Sequence, residues 1–285
     1  MRASTVLVSF LAALAPLASA CAEPDPLAGM PPEIMPLGVS STSDDADAVA
    51  APAETEASLG SAPASAYLFP RSAKPRGRTY EEWAAAWWQW ALAVPKDENP
   101  MLNGPCDVNQ PDDVFFLAGT TGGSATRSCT IPPGKPIFFP LLNSTCLSCP
   151  ELVSASYTCE MSLSEEYLHD SASSMTESGE RTLTLEIDGV SVEGLEEYRA
   201  HTATYEDTSP AAVEDRVFPS CTGPIGENPC GVPVGSPRMT VGDGHWVMLR
   251  PLPVGEHQIH FTGNVDYPWG SSFGLDVTYN IVVAP

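Results

Sequence analysis

Basic residues are scarce in this sequence. Across 285 residues there are 13 Lys and Arg against 36 Asp and Glu, a formal net charge of -23. So acidic a chain repels phosphate backbones, which excludes nucleic acid as a partner. Long apolar runs are also missing. The one clear run, Val6 to Leu17, is too short to cross a bilayer, which excludes a polytopic membrane protein. G-x-S-x-G, a P-loop, an EF-hand loop and a helical H-E-x-x-H are all absent. Disorder of the whole chain is excluded in turn, because 43% of the residues are apolar and can build a sizeable core.

What is present starts with an export signal. Arg2 precedes the apolar run, and Ala18-Ser19-Ala20 then meets the small-residue rule for signal-peptide cleavage. Residues 1–20 therefore read as a signal peptide. Cys21 follows the cut directly, and Leu17-Ala18-Ser19-Ala20-Cys21 resembles a bacterial lipobox with its Leu one position too far out. Two readings of Cys21 stand: an acylated N-terminal cysteine, which we favour, or a residue after an ordinary cleavage site. An acyl chain would be the membrane anchor; nothing else in the chain would hold it there. Residues 21–70 are rich in Pro, Ala, Ser and acids and show no periodicity. They cannot bury enough apolar surface to offset chain entropy, so they read as a flexible acidic tether. Residues 71–285 read as one folded domain. Its lead-in carries Arg71, Lys74, Arg76 and Arg78, a solvated segment or a contact for anionic lipid or cell-wall polymer.

Export implies an oxidising compartment and hence disulfides. The candidates are Cys106, Cys129, Cys146, Cys149, Cys159, Cys221 and Cys230. Position suggests Cys106–Cys129, a local Cys221–Cys230 loop, and Cys159 with either Cys146 or Cys149. Cys146 and Cys149 form a C-x-x-C, but no second metal pair and no βαβ context accompany it, which argues against zinc or redox work.

Thr79 to Glu82 fits a capping box, and a helix should run from there to the residues before Pro95. Tyr80, Trp83, Trp87 and Trp90 share one face of it, a broad aromatic surface suited to plugging a sandwich. Trp88 points elsewhere, which makes it the candidate for stacking on a sugar ring. Strands are expected at 114–119, 125–131, 136–142, 181–187, 190–192, 198–205, 245–249, 256–262 and 273–283. TTGGS at 120–124 reads as a hairpin loop; Pro132 to Lys135, Asp188-Gly189, Asp243-Gly244 and Pro253 to Gly255 read as turns. One further helix is expected over 164–173, and a long Pro/Gly/Cys loop over 206–242. Many short strands with such turns predict a mainly β fold: an antiparallel β-sandwich, jelly-roll or Ig-like.

Catalytic and metal-binding residues are harder to place. His257 and His260 lie on opposite faces of a strand and cannot share a metal without a bulge. Asp243 and His245 could form an acid/base pair. Carboxylate pairs recur at Glu81/Glu82, Asp97/Glu98, Asp112/Asp113, Glu165/Glu166 and Glu214/Asp215, too many for the cleft pair of a glycosidase to be picked out. Asp97, Asn109, Asp112 and Asp113 are the least arbitrary set for Ca²⁺, which prefers clustered oxygens. No other cofactor is expected. Asn143-Ser144-Thr145 matches the glycosylation sequon.

Several motifs recur together: W-x-x-x-W-W-x-W at 83–90, Cys106-x-x-x-Gln110 with FLAGT at 116–120, CTIPPGKPIFFP at 129–140, and GEHQIHF at 255–261. In these the chain resembles a family of uncharacterised secreted bacterial proteins across most of 79–285. The resemblance implies one exported domain. It implies no activity, ligand or catalytic residue.

The sequence thus predicts an exported, lipid-anchored protein of the cell envelope, facing outside the cytoplasm, or else a secreted one. Its expected function is non-catalytic binding of a glycan or another envelope component such as a protein. The alternatives are a secreted hydrolase of envelope or extracellular polymer, using a carboxylate pair or His245/Asp243, and a structural surface protein.

Overall fold

The computed structural model describes residues 61–102, 104–148, 164–207 and 238–285. They form a mainly β fold of two sheets with helices packed on them. The first sheet contains β1 (Ser61–Pro63), β3 (Gly123–Ile131), β5 (Glu180–Ile187), β6 (Val190–Glu193), β10 (Gly255–Asp266) and β11 (Ser272–Val283), in the order β1-β6-β5-β10-β11-β3. The second contains β2 (Phe115–Phe116), β4 (Ile137–Leu147), β7 (Arg199–His201) and β9 (Arg238–Leu249), in the order β2-β4-β9-β7, and β8 (Tyr205–Asp207) also pairs with β9. The helices are a single turn α1 (Ala64–Tyr67), α2 (Tyr80–Ala93) and α3 (Glu165–Glu177). No described helix is long and apolar enough to cross a membrane.

The two sheets face each other through alternating apolar residues. In β11 Leu275, Val277, Tyr279, Ile281 and Val283 are buried. Phe261 of β10 meets Phe139 of β4 with ring centroids 4.8 Å apart. The sheets approach closely at Gly263, where an added Cβ would stand 2.0 Å from the Leu141 carbonyl oxygen. That close approach falls at an irregularity in the β4–β9 register between Pro140 and Leu142.

Helix α2 packs on the other face of the second sheet. Its capping box is formed: the Glu82 amide donates to Thr79 Oγ1 and the Thr79 amide to the Glu82 carboxylate. Three of its indoles donate to backbone carbonyls, Trp83 to Pro75, Trp87 to Leu117 and Trp90 to Val108, each at 2.9 Å. Buried indole N–H groups need such partners. Trp246 of β9 stacks on Phe138 at 5.4 Å and receives Trp87 edge-on. Asn99 is fully buried and holds the helix end, donating to the Ala91 and Val94 carbonyls. Gln110 acts as a side-chain strand: it accepts from the Phe116 amide and donates to the Cys106 and Phe116 carbonyls.

Several expectations are corrected. Three strand pairs are parallel: β3 with β11, β2 with β4 and β1 with β6. TTGGS is therefore no hairpin loop, and residues 132–135 make no hairpin turn; each carries the chain from one sheet to the other. The strand at 114–119 shrinks to two residues, because the Ala118 and Gly119 carbonyls turn to Arg127 Nη1 and the Tyr279 hydroxyl. Asp243-Gly244 is no turn but the middle of β9, paired to β4 and β7. Tyr198 ends a 3-10 turn from Leu195, so only Arg199–His201 is strand there. α3 continues past residue 173 to Glu177. Residues before 71 also pack on the domain: β1 pairs with β6, and Leu68 is fully buried and bridges to Leu249. Of the lead-in cations, Arg71 pairs with Glu81 and lies over the Tyr80 ring, Arg78 lies over Trp83, and Arg76 donates to the Gly134 carbonyl.

Candidate functional site

Two features stand out from the packed sandwich. The first is a set of charged and polar groups gathered where α3, β7 and β9 meet. Asp243 and His245 are two residues apart on β9, so their side chains share a face. Both are buried, with Asp243 fully so. Arg199 of β7 grips the Asp243 carboxylate with two N–H groups, Nε to Oδ1 at 3.1 Å and Nη2 to Oδ2 at 2.6 Å. Burial alone would raise the Asp243 pKa; the Arg199 hydrogen bonds and charge outweigh it and hold the carboxyl below its ordinary value. Asp243 in turn keeps Arg199 protonated. Glu177 of α3 joins Arg199 to Arg181 at 3.4 Å each, and Arg181 reaches Glu196 at 3.5 Å. Burial pushes the His245 imidazole below its ordinary value, although Glu196 lies 3.4 Å from its Nε2. His245 Nδ1 has no hydrogen-bond partner among the described residues.

The expected acid/base pair is thus brought together, but not as an acid and a base. Asp243 is neutralised by Arg199 and shut off from solvent. His201 adds another arrangement that resembles catalytic machinery. Its Nδ1 lies 3.3 Å from Ser173 Oγ and 3.7 Å from Asp243 Oδ2. A nucleophile–base–acid relay needs serine and carboxylate on opposite ring nitrogens. Here both approach the same nitrogen, so the three residues do not form such a relay.

The second feature is the tip of the β10–β11 hairpin, residues 267–271. Tyr267 is nearly buried, and its hydroxyl donates to the Met175 carbonyl of α3 at 2.9 Å. Trp269 stacks on it, centroids 4.5 Å apart and planes 8° from parallel. The turn is closed by the Tyr267 amide on Ser271 and the Gly270 amide on Tyr267. Gly270 has φ +88, a conformation that favours glycine. Trp269 is 43% exposed, while Trp83, Trp87, Trp88, Trp90 and Trp246 are all buried.

Trp88 is placed in the core and not outside it. It is buried, lies edge-on to Trp87 and Trp246, and occupies the space above Gly242, where a Cβ would come within 2.7 Å of its ring. No ring face is left for a sugar. Asp97, Asn109, Asp112 and Asp113 are exposed, and among the described residues no group of three or more His, Cys, Asp or Glu is placed to hold a metal ion. Cys106 and Cys129 form a disulfide, and Cys146 is disulfide-bonded to a partner outside the described residues. Cys21, Cys149, Cys159, Cys221, Cys230 and the Glu214/Asp215 pair also lie outside them. His257 and His260 are apart as expected: His257 contacts Asp188 at 2.8 Å, and His260 contacts Asp276 at 2.9 Å. Asn143 of the sequon lies inside β4, paired with Gly244.

Sequence reasoning missed Trp269 because a lone aromatic in a turn has no periodicity. The available signal was Pro268-Trp269-Gly270 between two strands: a large apolar residue where turn chemistry leaves it uncovered. It also missed His169, His201 and Arg199, which only the fold brings beside Asp243.

No protein-family model and no curated protein matches the chain. Two solved structures show a partial likeness. The cysteine protease inhibitor EhICP2 from Entamoeba histolytica is 13% identical, with a TM-score of 0.20, over 61% of this chain and 99% of its own. Amebosin is 9% identical, with a TM-score of 0.16, over 56% of this chain and 97% of its own. Scores of this size do not place the chains in one fold.

Proposed function

We propose that this is an exported envelope protein, anchored by an acylated Cys21, whose sandwich domain binds glycan without chemistry on it. The observation that carries the reading is the Tyr267–Trp269 stack at the hairpin tip. A flat, exposed indole held rigid from behind presents the kind of face on which a sugar ring packs, at low entropic cost. The net charge of -23 disfavours polyanionic polymers and points to a neutral or amine-bearing glycan. Export and anchoring rest on residues 1–21 alone. A hydrolase reading has less support, because the buried Asp243 is already paired to Arg199.

Thermal melts of the whole chain against neutral and amino-sugar oligosaccharides test the binding. A ligand at 100 times its Kd stabilises by about 2.7 kcal/mol. The shift should vanish in Trp269→Ala with the melt of the free protein unchanged. A panel with no shift leaves the structural or hydrolytic roles.

A further inference from the structure

The His169 and His201 side chains meet edge to edge between α3 and β7, with ring centroids 4.5 Å apart and planes 15° from parallel. His169 Nδ1 and His201 Nε2 are in direct contact. What the two outer nitrogens touch decides where the protons sit. His169 Nε2 lies 3.1 Å from Thr204 Oγ1. The Thr204 hydroxyl itself donates to Glu165, since a carboxylate only accepts. Its oxygen is left to accept, so His169 carries its proton on Nε2. His201 Nδ1 faces the Asp243 carboxylate at 3.7 Å and Ser173 Oγ at 3.3 Å. A lone pair there would face negative charge, so His201 carries its proton on Nδ1. Each neutral ring has one proton to place. With both outer nitrogens protonated, both inner nitrogens present lone pairs, and those lone pairs point at each other.

We infer that His169 Nδ1 and His201 Nε2 are the two protein ligands of a divalent transition-metal site, open to solvent and completed by water. Two facing imidazole lone pairs suit Zn²⁺, Ni²⁺ or Cu²⁺ once the rings part to the spacing that metal–nitrogen bonds of about 2.0–2.1 Å require. Outer nitrogens donating to hydroxyls backed by carboxylates are the usual support of metal-bound histidine. The His169 and His201 side chains are 23% and 36% exposed, so an ion has a way in. The site is independent of the glycan reading: Trp269 is no part of it.

The test titrates the whole chain with Cu²⁺, Ni²⁺ and Zn²⁺ by calorimetry and follows ¹⁵N-histidine NMR. We expect one equivalent to bind, moving the His169 and His201 ring signals and leaving His257 and His260 in place. His169→Gln and His201→Gln should each weaken binding at least about tenfold, while His260→Gln should not. If either variant fails to fold, the NMR assignment on the unaltered chain still decides. No shift of these two rings with any of the three ions would overturn the site. So would a single proton shared between the rings that persists unchanged when metal is added.

Discussion

Asp243 has no exposed surface, yet it is charged. Its stability contribution therefore depends on Arg199. Arg199→Met would leave a buried carboxylate without its partner, and breaking such a pair costs about 3 kcal/mol. Urea denaturation should show that loss. The double change Arg199→Met with Asp243→Leu should recover part of it, since two apolar groups leave no charge behind. The pH response follows the same logic. A carboxylate with a depressed folded pKa contributes stability above its unfolded value near 3.9 and loses it as pH falls through the folded value. The Asp243 contribution should therefore be lost only below about pH 4, and the Asp243→Leu double variant should show a smaller acid-dependent loss in that range. Gly242 gives a second residue-scale prediction. Ala there would push against the Trp88 ring 2.7 Å away, an overpacking worth about 1–3 kcal/mol by the same denaturation.

Helix α2 was legible almost residue by residue. Thr79, Glu82 and Pro95 marked its ends, and the spacing of Tyr80, Trp83, Trp87 and Trp90 marked its buried face. What spacing could not show was that Trp88 is buried as well, because the second sheet supplies a glycine where the ring must go. Thr79→Ala should cost about 1 kcal/mol, the usual loss of an N-cap, and Trp87→Ala about 3–5 kcal/mol through the cavity it leaves; thermal melts separate the two. The β5–β6 turn was legible for a similar reason: Asp188 and Gly189 both have positive φ, which suits the two-residue hairpin. Asp188 also reaches β10, where His257 lies 2.8 Å away. Burial would lower the His257 pKa, but the Asp188 hydrogen bond outweighs it and raises the value. A raised imidazole contributes stability below its unfolded pKa near 6.5 and loses it as pH rises through the folded value. Asp188→Asn should therefore destabilise more at pH 6 than at pH 9, by under about 1 kcal/mol for so exposed a pair. Equal losses at the two pH values would exclude the ion pair as the cause.

At the scale of the whole molecule, alternation along β5, β10 and β11 was enough to predict two β layers, because buried and exposed positions simply alternate there. Connectivity was not legible. TTGGS and PPGK carry turn residues whether the chain folds back or crosses to the other sheet, and only the parallel β3–β11 pairing distinguishes the two. β9 hid behind Asp243-Gly244 and Gly242, residues that usually break strands; here the glycines make room for Trp88 and Asn143, and Asp243 finds Arg199. The candidate site was the least legible part, since His169, His201, Arg199 and Asp243 come from separate elements, and Trp269 belongs to no pattern at all. The six tryptophans now offer a direct test. Five are buried and one, Trp269, is exposed, so an aqueous fluorescence quencher should reach Trp269 first. The deciding measurement is acrylamide quenching of the whole chain with and without saturating neutral or amino-sugar oligosaccharide. The account predicts that one such glycan shields the accessible fraction, and that Trp269→Phe has almost no accessible fraction to shield. Quenching of Trp269 that no glycan alters, or glycan binding that survives Trp269→Ala at full strength, would contradict it.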